Sequence, residues 1–330
     1  MQTALSIVIV NWNGEKFLPA CLESIRENPP SVPYEVVVVD NNSSDSSIRW
    51  LKSEETRDLL GSINFRLIES GENLGYGCGN NLAIEQSDSP FIFILNPDVI
   101  VFPNAFDRLL ETLISDEGIG AVGPKLLWVD GSLHPSTCNF PPNPFSILVD
   151  GLQLGRVIPR RFLAKRLYGA FWNHDERIQV PMIQGAAMMV KREMIEKVGS
   201  FDPSIHMFSE ELELCVRINR GNWKVFFEPD AQLVHFGGKS TEQRWDETEI
   251  QIVQQKAMIV YYRKCFSQIR NFFNDLAALL VFAVHYVRWK LKGRDTVLFR
   301  ELIKLHLADC MEIVTGQNSV LRYDRAHTKV

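Results

Sequence analysis

The residues best placed to do chemistry in this chain are carboxylates that follow apolar runs. Asp98 comes after FIFIL (Phe91 to Leu95) and the turn formers Asn96 and Pro97. An unbroken apolar run of that length predicts a strand buried on both faces, as in a parallel sheet. Pro97 cannot donate a ladder hydrogen bond and holds Asn96 extended, so the strand should end there. Asp98 then falls past the carboxyl end of a central strand, where ligands bind in open α/β sheets. It could hold a divalent cation and, through it, a phosphate. A turn aspartate capping a helix from about Pro103 is the structural alternative. Glu210, Glu211 and Glu213 make a second cluster. Acidic residues in a helix's first turn favour the macrodipole by ~0.3 to 1 kcal/mol each, but neighbouring carboxylates raise one another's pKa, which suits a general base. His235 closes a strand-like run and would serve as a further ligand beside an Asp-bound cation.

Strand-like and helix-like segments that could position these groups alternate through the first 125 residues. Leu5 to Val10 is β-branched and ends at Asn11-Trp12-Asn13-Gly14; Leu18, Cys21, Leu22 and Ile25 then lie on one helical face. Glu35 to Val39 ends in the polar cluster Asp40 to Asp45, able to cap a helix, and Ile63 to Ile68 leads into Asn73 to Asn81. A helix is expected over Phe106 to Leu113 and a strand over Ile119 to Val122. The βαβα rhythm predicts a mostly parallel sheet with right-handed crossovers, whose strand-end clusters converge on one edge. The glycines at 75, 77 and 79 do not fit the dinucleotide fingerprint, and no P-loop occurs; they suit close backbone approach to a ligand or a tight helix entry.

Residues 128 to 180 break the rhythm. Prolines at 135, 141, 142, 144 and 159, with Gly131 and Gly151, fit a long irregular excursion, and Arg160, Arg161, Lys165 and Arg166 read as a solvated basic face. Met182 to Val190 then predicts a strand and Glu193 to Val198 a short helix. Ser209 opens a further helix that stops near Gly221, and Lys224 to Phe227 and Gln232 to Val234 read as strands. From about Ile250 the chain turns helical. Leu276 to Val287 is apolar nearly all round and is followed by Arg288, Lys290, Lys292 and Arg294; such a helix can lie in a membrane interface or pack on protein.

Composition narrows the classes. At 45% hydrophobic and 23% charged the chain is globular, and a net charge of −5 supplies no basic field for nucleic acid. Six scattered cysteines without a C-x-x-C pair argue against a zinc site or disulfide framework and for a reducing compartment. Leu5 to Val10 lacks a basic n-region and reads as a strand rather than a signal peptide, and no apolar run reaches membrane-spanning length.

The series VIVNWNG, VVVVDNNSSD, ENLGYGCGNN, LNPDV, QGAAMMVKR, FSEELELCVRINRGNW and VHFGGKS, over about residues 3 to 240, resembles the family 2 glycosyltransferases of GT-A fold. It is most similar to their bacterial rhamnosyltransferase-like branch. The resemblance implies an α/β fold: a mostly parallel, helix-flanked nucleotide-binding sheet over residues 1 to 245, with 128 to 180 as an acceptor-side insertion. Residues 246 to 330 match none of these motifs, and their own apolar and basic pattern reads as a helical extension touching a membrane surface or a partner. The resemblance implies that Asn11, Asn13 and Asp40 hold the donor nucleotide, Asp40 at the base, and that Asn73, Gly75 and Asn80 line its pocket. Asn96-Pro97-Asp98 would stand for the family's Asp-x-Asp metal motif, with Mg²⁺ or Mn²⁺ resting mainly on Asp98, and His235 sits where some relatives have a metal ligand. Glu211 would be the catalytic base, with Glu210 as the competing assignment, since Glu211 and Glu213 replace two aspartates.

The activity implied is inverting transfer of a sugar, L-rhamnose from dTDP-L-rhamnose by resemblance, to a glycan or lipid-linked acceptor in cell-surface polysaccharide synthesis. UDP- and GDP-sugars stay open. The expected setting is cytoplasmic, peripheral on the inner face of the plasma membrane. A sugar-nucleotide nucleotidyltransferase would need a glycine-rich basic loop after the first strand, which Asn11 to Gly14 does not offer. A non-catalytic sugar-nucleotide-binding scaffold is the other alternative.

Overall fold

The computed structural model describes residues 3–134, 138–139, 141–167, 172–237 and 246–315; Pro135 and the tail of the last motif, Gly238 to Ser240, lie outside the described residues. The chain divides into two compact units, Met1–Asn139 with Asn173–Ser240, and Phe140–Trp172 with Thr241–Val330. The segment 140–172 therefore groups with the C-terminal helices, not with the sheet.

The first unit is built on one sheet. Its opening strands are β1 (Leu5–Asn11), β2 (Tyr34–Asp40), β3 (Asn64–Glu69) and β4 (Phe91–Leu95). Then come β5 (Val99–Val101), β6 (Ile119–Leu127), β8 (Ile178–Gln179), β10 (Ala187–Lys191) and β11 (Lys224–His235), while the short β7 (Cys138–Asn139) pairs with β9 (Met182–Ile183) apart from it. Along the sheet the order is β3-β2-β1-β4-β10-β6-β11-β5. The unbroken apolar runs form these strands because both faces are covered: the successive residues Ile7 and Val8, Val37 and Val38, and Phe93 and Ile94 point to opposite faces and are all fully buried. Around the sheet lie α1 (Leu18–Glu27), α2 (Ser47–Leu51), α3 (Glu54–Leu60), α4 (Gly75–Glu85) and α5 (Ala105–Ile114).

The expected parallel pairing holds for β1 with β2 and β4, and for β2 with β3. Beyond β4 the sheet is mixed, because β10 enters antiparallel between β4 and β6. Being antiparallel to both neighbours, β10 leaves β6 parallel to β4, and β11 runs parallel to β6. All these carboxyl ends except that of β10 consequently share one edge. The expected strand Met182 to Val190 is interrupted at Gln184 to Ala186, and the two expected strands after Gly221 are one strand with a bulge between Glu228 and Gln232.

The second unit contains α6 (Pro144–Gly151) and α7 (Arg160–Leu167), with three long helices that follow the sheet unit's α8 (Arg192–Val198) and α9 (Glu210–Arg220). These three are α10 (Glu247–Cys265), α11 (Gln268–Leu291) and α12 (Val297–Thr315). Asp246 caps α10 in a capping box with Glu249, and Ser267 caps α11, so one apparently continuous helical stretch becomes two. Arg263 on α10 pairs with Asp309 and Glu312 on α12, and His306 Nδ1 lies 2.7 Å from Asp275 Oδ1. No helix among the described residues is long and apolar enough to cross a membrane.

Candidate active site

The site forms at the shared strand edge. β1 ends at Asn11, whose side chain is buried and donates from Nδ2 to Asp40 Oδ1 (3.0 Å), Ser43 Oγ (3.1 Å) and Ser47 Oγ (3.0 Å). Asp40 also accepts from the Ser43 amide at 3.0 Å. Asn11 thus braces the β1 and β2 ends, and a Cβ on Gly14 would fall 2.2 Å from its Oδ1, so the Asn-x-x-Gly spacing is steric. Asn13 takes a left-handed backbone (φ 51°) that asparagine tolerates. Its Oδ1 accepts from the Ser44 amide at 2.8 Å.

Asn41 ties this cluster to the next. Its amide donates to Asn11 O (2.7 Å), and its side chain bonds Asn73 Oδ1, Gly75 O and the Leu74 amide. Gly75 opens α4 with φ +81°, and any Cβ there would meet His206 O at 2.3 Å. α4 begins here, not at Leu82 where the apolar stretch starts. Gly79 lets α4 press onto Val10, since a Cβ would stand 2.8 Å from its Cγ1, so the glycines make a tight helix entry. Asn80 is fully buried and donates to Tyr76 O at 2.9 Å.

Asp98 does not cap a helix: β5 intervenes and α5 starts at Ala105. The antiparallel register that sets His235 opposite Val99 brings His235 Nε2 to 3.4 Å from Asp98 Oδ1, both side chains almost fully buried. Neither ring nitrogen of His235 has a hydrogen-bond partner, nor does the buried Oδ1 of Asn96. A carboxylate beside an imidazole and a neutral oxygen that both lack hydrogen-bond partners suits a divalent cation with further oxygen ligands from a phosphate or water. Among the described residues no group of three or more His, Cys, Asp or Glu side chains is arranged to hold a metal alone. The ring of His134 stacks 3.8 Å from Trp128 and 5.4 Å from His235. Burial, and then His235, push its pKa down to about 4, so its imidazole is neutral.

The glutamates separate. Glu213 turns away to a two-pronged pair with Arg217 (2.7 and 2.9 Å from Nε), which also donates to Val198 O, Gly199 O and Ser200 O. Glu210 and Glu211 stay at the N-terminus of α9, after two left-handed non-glycine residues, Phe208 (φ 64°) and Ser209 (φ 67°). Backbone held that way is strained and is met at functional sites. Burial, then the adjacent Glu211, raises the Glu210 pKa well above the ordinary carboxylate range. Burial raises Glu211 too, but its own amide and those of Gly185 and Leu212 favour its charged form. Of the pair, Glu210 is raised the more strongly, because the amides beside Glu211 favour the charged form of that residue alone.

Tyr76 joins the halves of the site. Its hydroxyl donates to Gly185 O at 2.5 Å, and burial, then the neighbouring carboxyl groups, pushes its pKa well up. Sequence reasoning missed Tyr76, Gly185 and His134 as site residues, although the first two stand inside quoted motifs.

Comparison with known proteins agrees with this geometry. The glycosyl transferase family 2 model matches residues 6–199. The N-acetylglucosaminyl-diphospho-decaprenol L-rhamnosyltransferase of Mycobacterium tuberculosis is 29% identical over 73% of this chain and 78% of its own. Rhamnosyltransferase WbbL of Escherichia coli is 23% identical over 70% of this chain and 82% of its own. The fold is similar to that of the mannosyltransferase PcManGT from Pyrobaculum calidifontis, solved with GDP-Man and Mn²⁺. That similarity has a TM-score of 0.57 at 16% identity and covers 96% of this chain and 89% of that one. With the family model covering more than half its length, the chain belongs to glycosyl transferase family 2.

Proposed function

We propose that this protein is an inverting glycosyltransferase that moves L-rhamnose from dTDP-L-rhamnose to a hydroxyl of a lipid-linked or cell-surface glycan. The observation that carries the reading is the meeting, around Tyr76, of a cation-suited pair, Asp98 with His235, and a carboxylate, Glu211, whose charged form backbone amides favour. Two relatives named rhamnosyltransferases support the choice of sugar. The name of the mycobacterial relative supports a polyprenyl-diphosphate-linked acceptor.

The strand-end cluster of Asn13, Asp40 and Asn73, braced by Asn11, would hold the nucleotide. Asp98, with His235 and the Asn96 oxygen, would hold Mg²⁺ or Mn²⁺, which supplies charge neutralisation for the departing diphosphate. Glu211 takes the proton from the acceptor hydroxyl as that oxygen bonds to the anomeric carbon. The bond from that carbon to the diphosphate breaks in the same displacement, which inverts the centre and needs no enzyme nucleophile. Glu210 stays protonated and adds no second negative charge. The protein would work on the cytoplasmic side of the membrane that carries the acceptor.

A panel of dTDP-, UDP- and GDP-sugars, assayed for nucleoside diphosphate release with and without a polyprenyl-diphosphate sugar acceptor, tests this. Acceptor-dependent release from dTDP-L-rhamnose is expected. Release from none of the donors would overturn the reading.

A further inference from the structure

The outer face of α11 is apolar without a break. Between Phe273 and Val287 the exposed positions are Phe273, Leu276, Leu280, Ala283 and Val287, and the four larger ones are 52%, 42%, 51% and 53% exposed. They recur every three or four residues, so they form one stripe along the helix. The opposite face, Ala277, Ala278 and Val281, is buried within the helical unit. The helix holds a single acidic residue, Asp275, and that is fully buried.

The stripe ends abruptly in charge. Arg288, Lys290, Lys292 and Arg294 are all exposed directly after Val287. Tyr286 and Trp289 mark the junction, with the Lys290 ammonium 5.8 Å from the Tyr286 ring and the Arg294 guanidinium 5.6 Å from that of Trp289. Apolar surface, then Tyr and Trp, then basic side chains is the order met on passing from acyl chains through headgroups to water.

The width of the stripe separates lipid from a second helix. A two-stranded coiled coil buries a narrow seam flanked by charged positions. Here the flanks are Phe272, Leu279 and Val284, apolar and half-buried. A broad apolar band without charged borders suits a fluid apolar phase, and a basic end of four cations, with Asp295 the one exposed acid directly after it, suits anionic headgroups.

We infer that the outer face of α11 docks on an anionic lipid surface, Phe273 to Val287 entering the acyl boundary and Arg288 to Arg294 binding headgroup phosphates. The inference stands on the helical unit alone. Its failure would leave the transfer reading intact, because the test needs neither donor nor acceptor.

The test is sedimentation of the full chain with vesicles of phosphatidylglycerol and phosphatidylcholine, against vesicles of phosphatidylcholine alone. Wild type should bind the anionic vesicles and release in high salt. Leu280→Asp should weaken binding about tenfold or more, the loss expected when a leucine is no longer buried in the apolar phase. Its melting temperature should hold, because the side chain is half exposed. A Lys290→Ala, Lys292→Ala double variant should weaken binding to anionic vesicles about fivefold per residue and leave binding to neutral ones unchanged. Equal sedimentation of wild type and both variants would overturn the inference. So would a wild-type dimer that Leu280→Asp renders monomeric, which would assign the stripe to a second copy of the chain.

Discussion

His235 Nε2 stands 3.4 Å from Asp98 Oδ1, although the two residues are far apart in sequence, and no hydrogen bond reaches either nitrogen of that ring. An unsatisfied buried imidazole is costly unless a partner completes it. Asp98→Ala should therefore abolish transfer and the metal dependence of donor binding. His235→Ala should weaken Mn²⁺ binding while leaving part of the activity. Calorimetric titration of Mn²⁺ into each variant, with and without dTDP-L-rhamnose, measures this. Full wild-type activity in excess EDTA would sink the metal assignment.

The second prediction separates two adjacent glutamates. Glu211→Gln should lose about 10² to 10⁴ in kcat, the usual worth of a general base, with donor affinity little changed. Glu210→Gln should do much less, because glutamine resembles the protonated acid that burial already enforces. Both variants are compared at saturating donor. An inactive Glu210→Gln beside an active Glu211→Gln would move the base by one residue.

The same burial has a pH consequence. Glu210 holds its proton in the folded chain at a pH where the unfolded chain has released it. Its stabilisation is thus complete below the ordinary carboxylate pKa and lost as pH rises through the raised folded value. Glu210→Gln should raise the melting temperature most at alkaline pH. An equal shift at pH 5 and pH 8 would contradict the protonated assignment.

Glu213 should matter for stability and not for chemistry. Its pair with Arg217 anchors α9 to the carbonyls of Val198, Gly199 and Ser200. Glu213→Gln should cost on the order of 2 kcal/mol in denaturant unfolding, as expected when one partner of a largely buried pair is lost. The kcat of the folded fraction should be unchanged. A large loss of kcat without loss of stability would return Glu213 to the active site.

In the helical unit, Asp275 and Asp309 are buried neighbours, and the pKa of each is raised. Burial pushes Asp275 up to about 6 and, with the hydrogen bond from Asp275, Asp309 up to about 7, from 3.8. Both are raised carboxyls, so their contribution is complete below about pH 4 and lost as pH climbs to about 7. His306, which burial pushes down to about 4 from 6.5, works in the other direction, losing stability as pH falls through that window. As pH rises past 6.5 the unfolded histidine loses its remaining proton and that opposition fades, while Arg263 beside the pair stays charged. The wild-type melting temperature should fall from pH 6.5 to pH 8, and Asp275→Asn should flatten that slope. Identical slopes would mean that Asp275 is not raised in the folded chain.

Much of this was legible in the order of residues. Apolar runs that stop at Asn, Asp and Gly located β1, β2 and β4 because burial on both faces and turn chemistry are local properties. The heptad-like spacing at Leu18 to Ile25 likewise located α1. The strand-end clusters, Asp98 and the α9 glutamates were singled out for the same reason. Other elements form where tertiary contact overrides propensity. α4 runs through three glycines because Val10, Phe201 and His206 leave no room for a Cβ.

By itself, then, the sequence determined which residues could do the chemistry and which strand ends would carry them, since both follow from side-chain type and short-range periodicity. Only the tertiary structure decided how they meet. The antiparallel entry of β10 keeps β6 and β11 parallel to β4 and sets Gly185 against Glu211, while β11 pairing on β5 closes His235 onto Asp98. Two of the three glutamates stay at the site and Arg217 withdraws the third. The face of α11 left bare was equally a tertiary outcome, because an all-apolar helix carries no sign of which side its neighbours will cover.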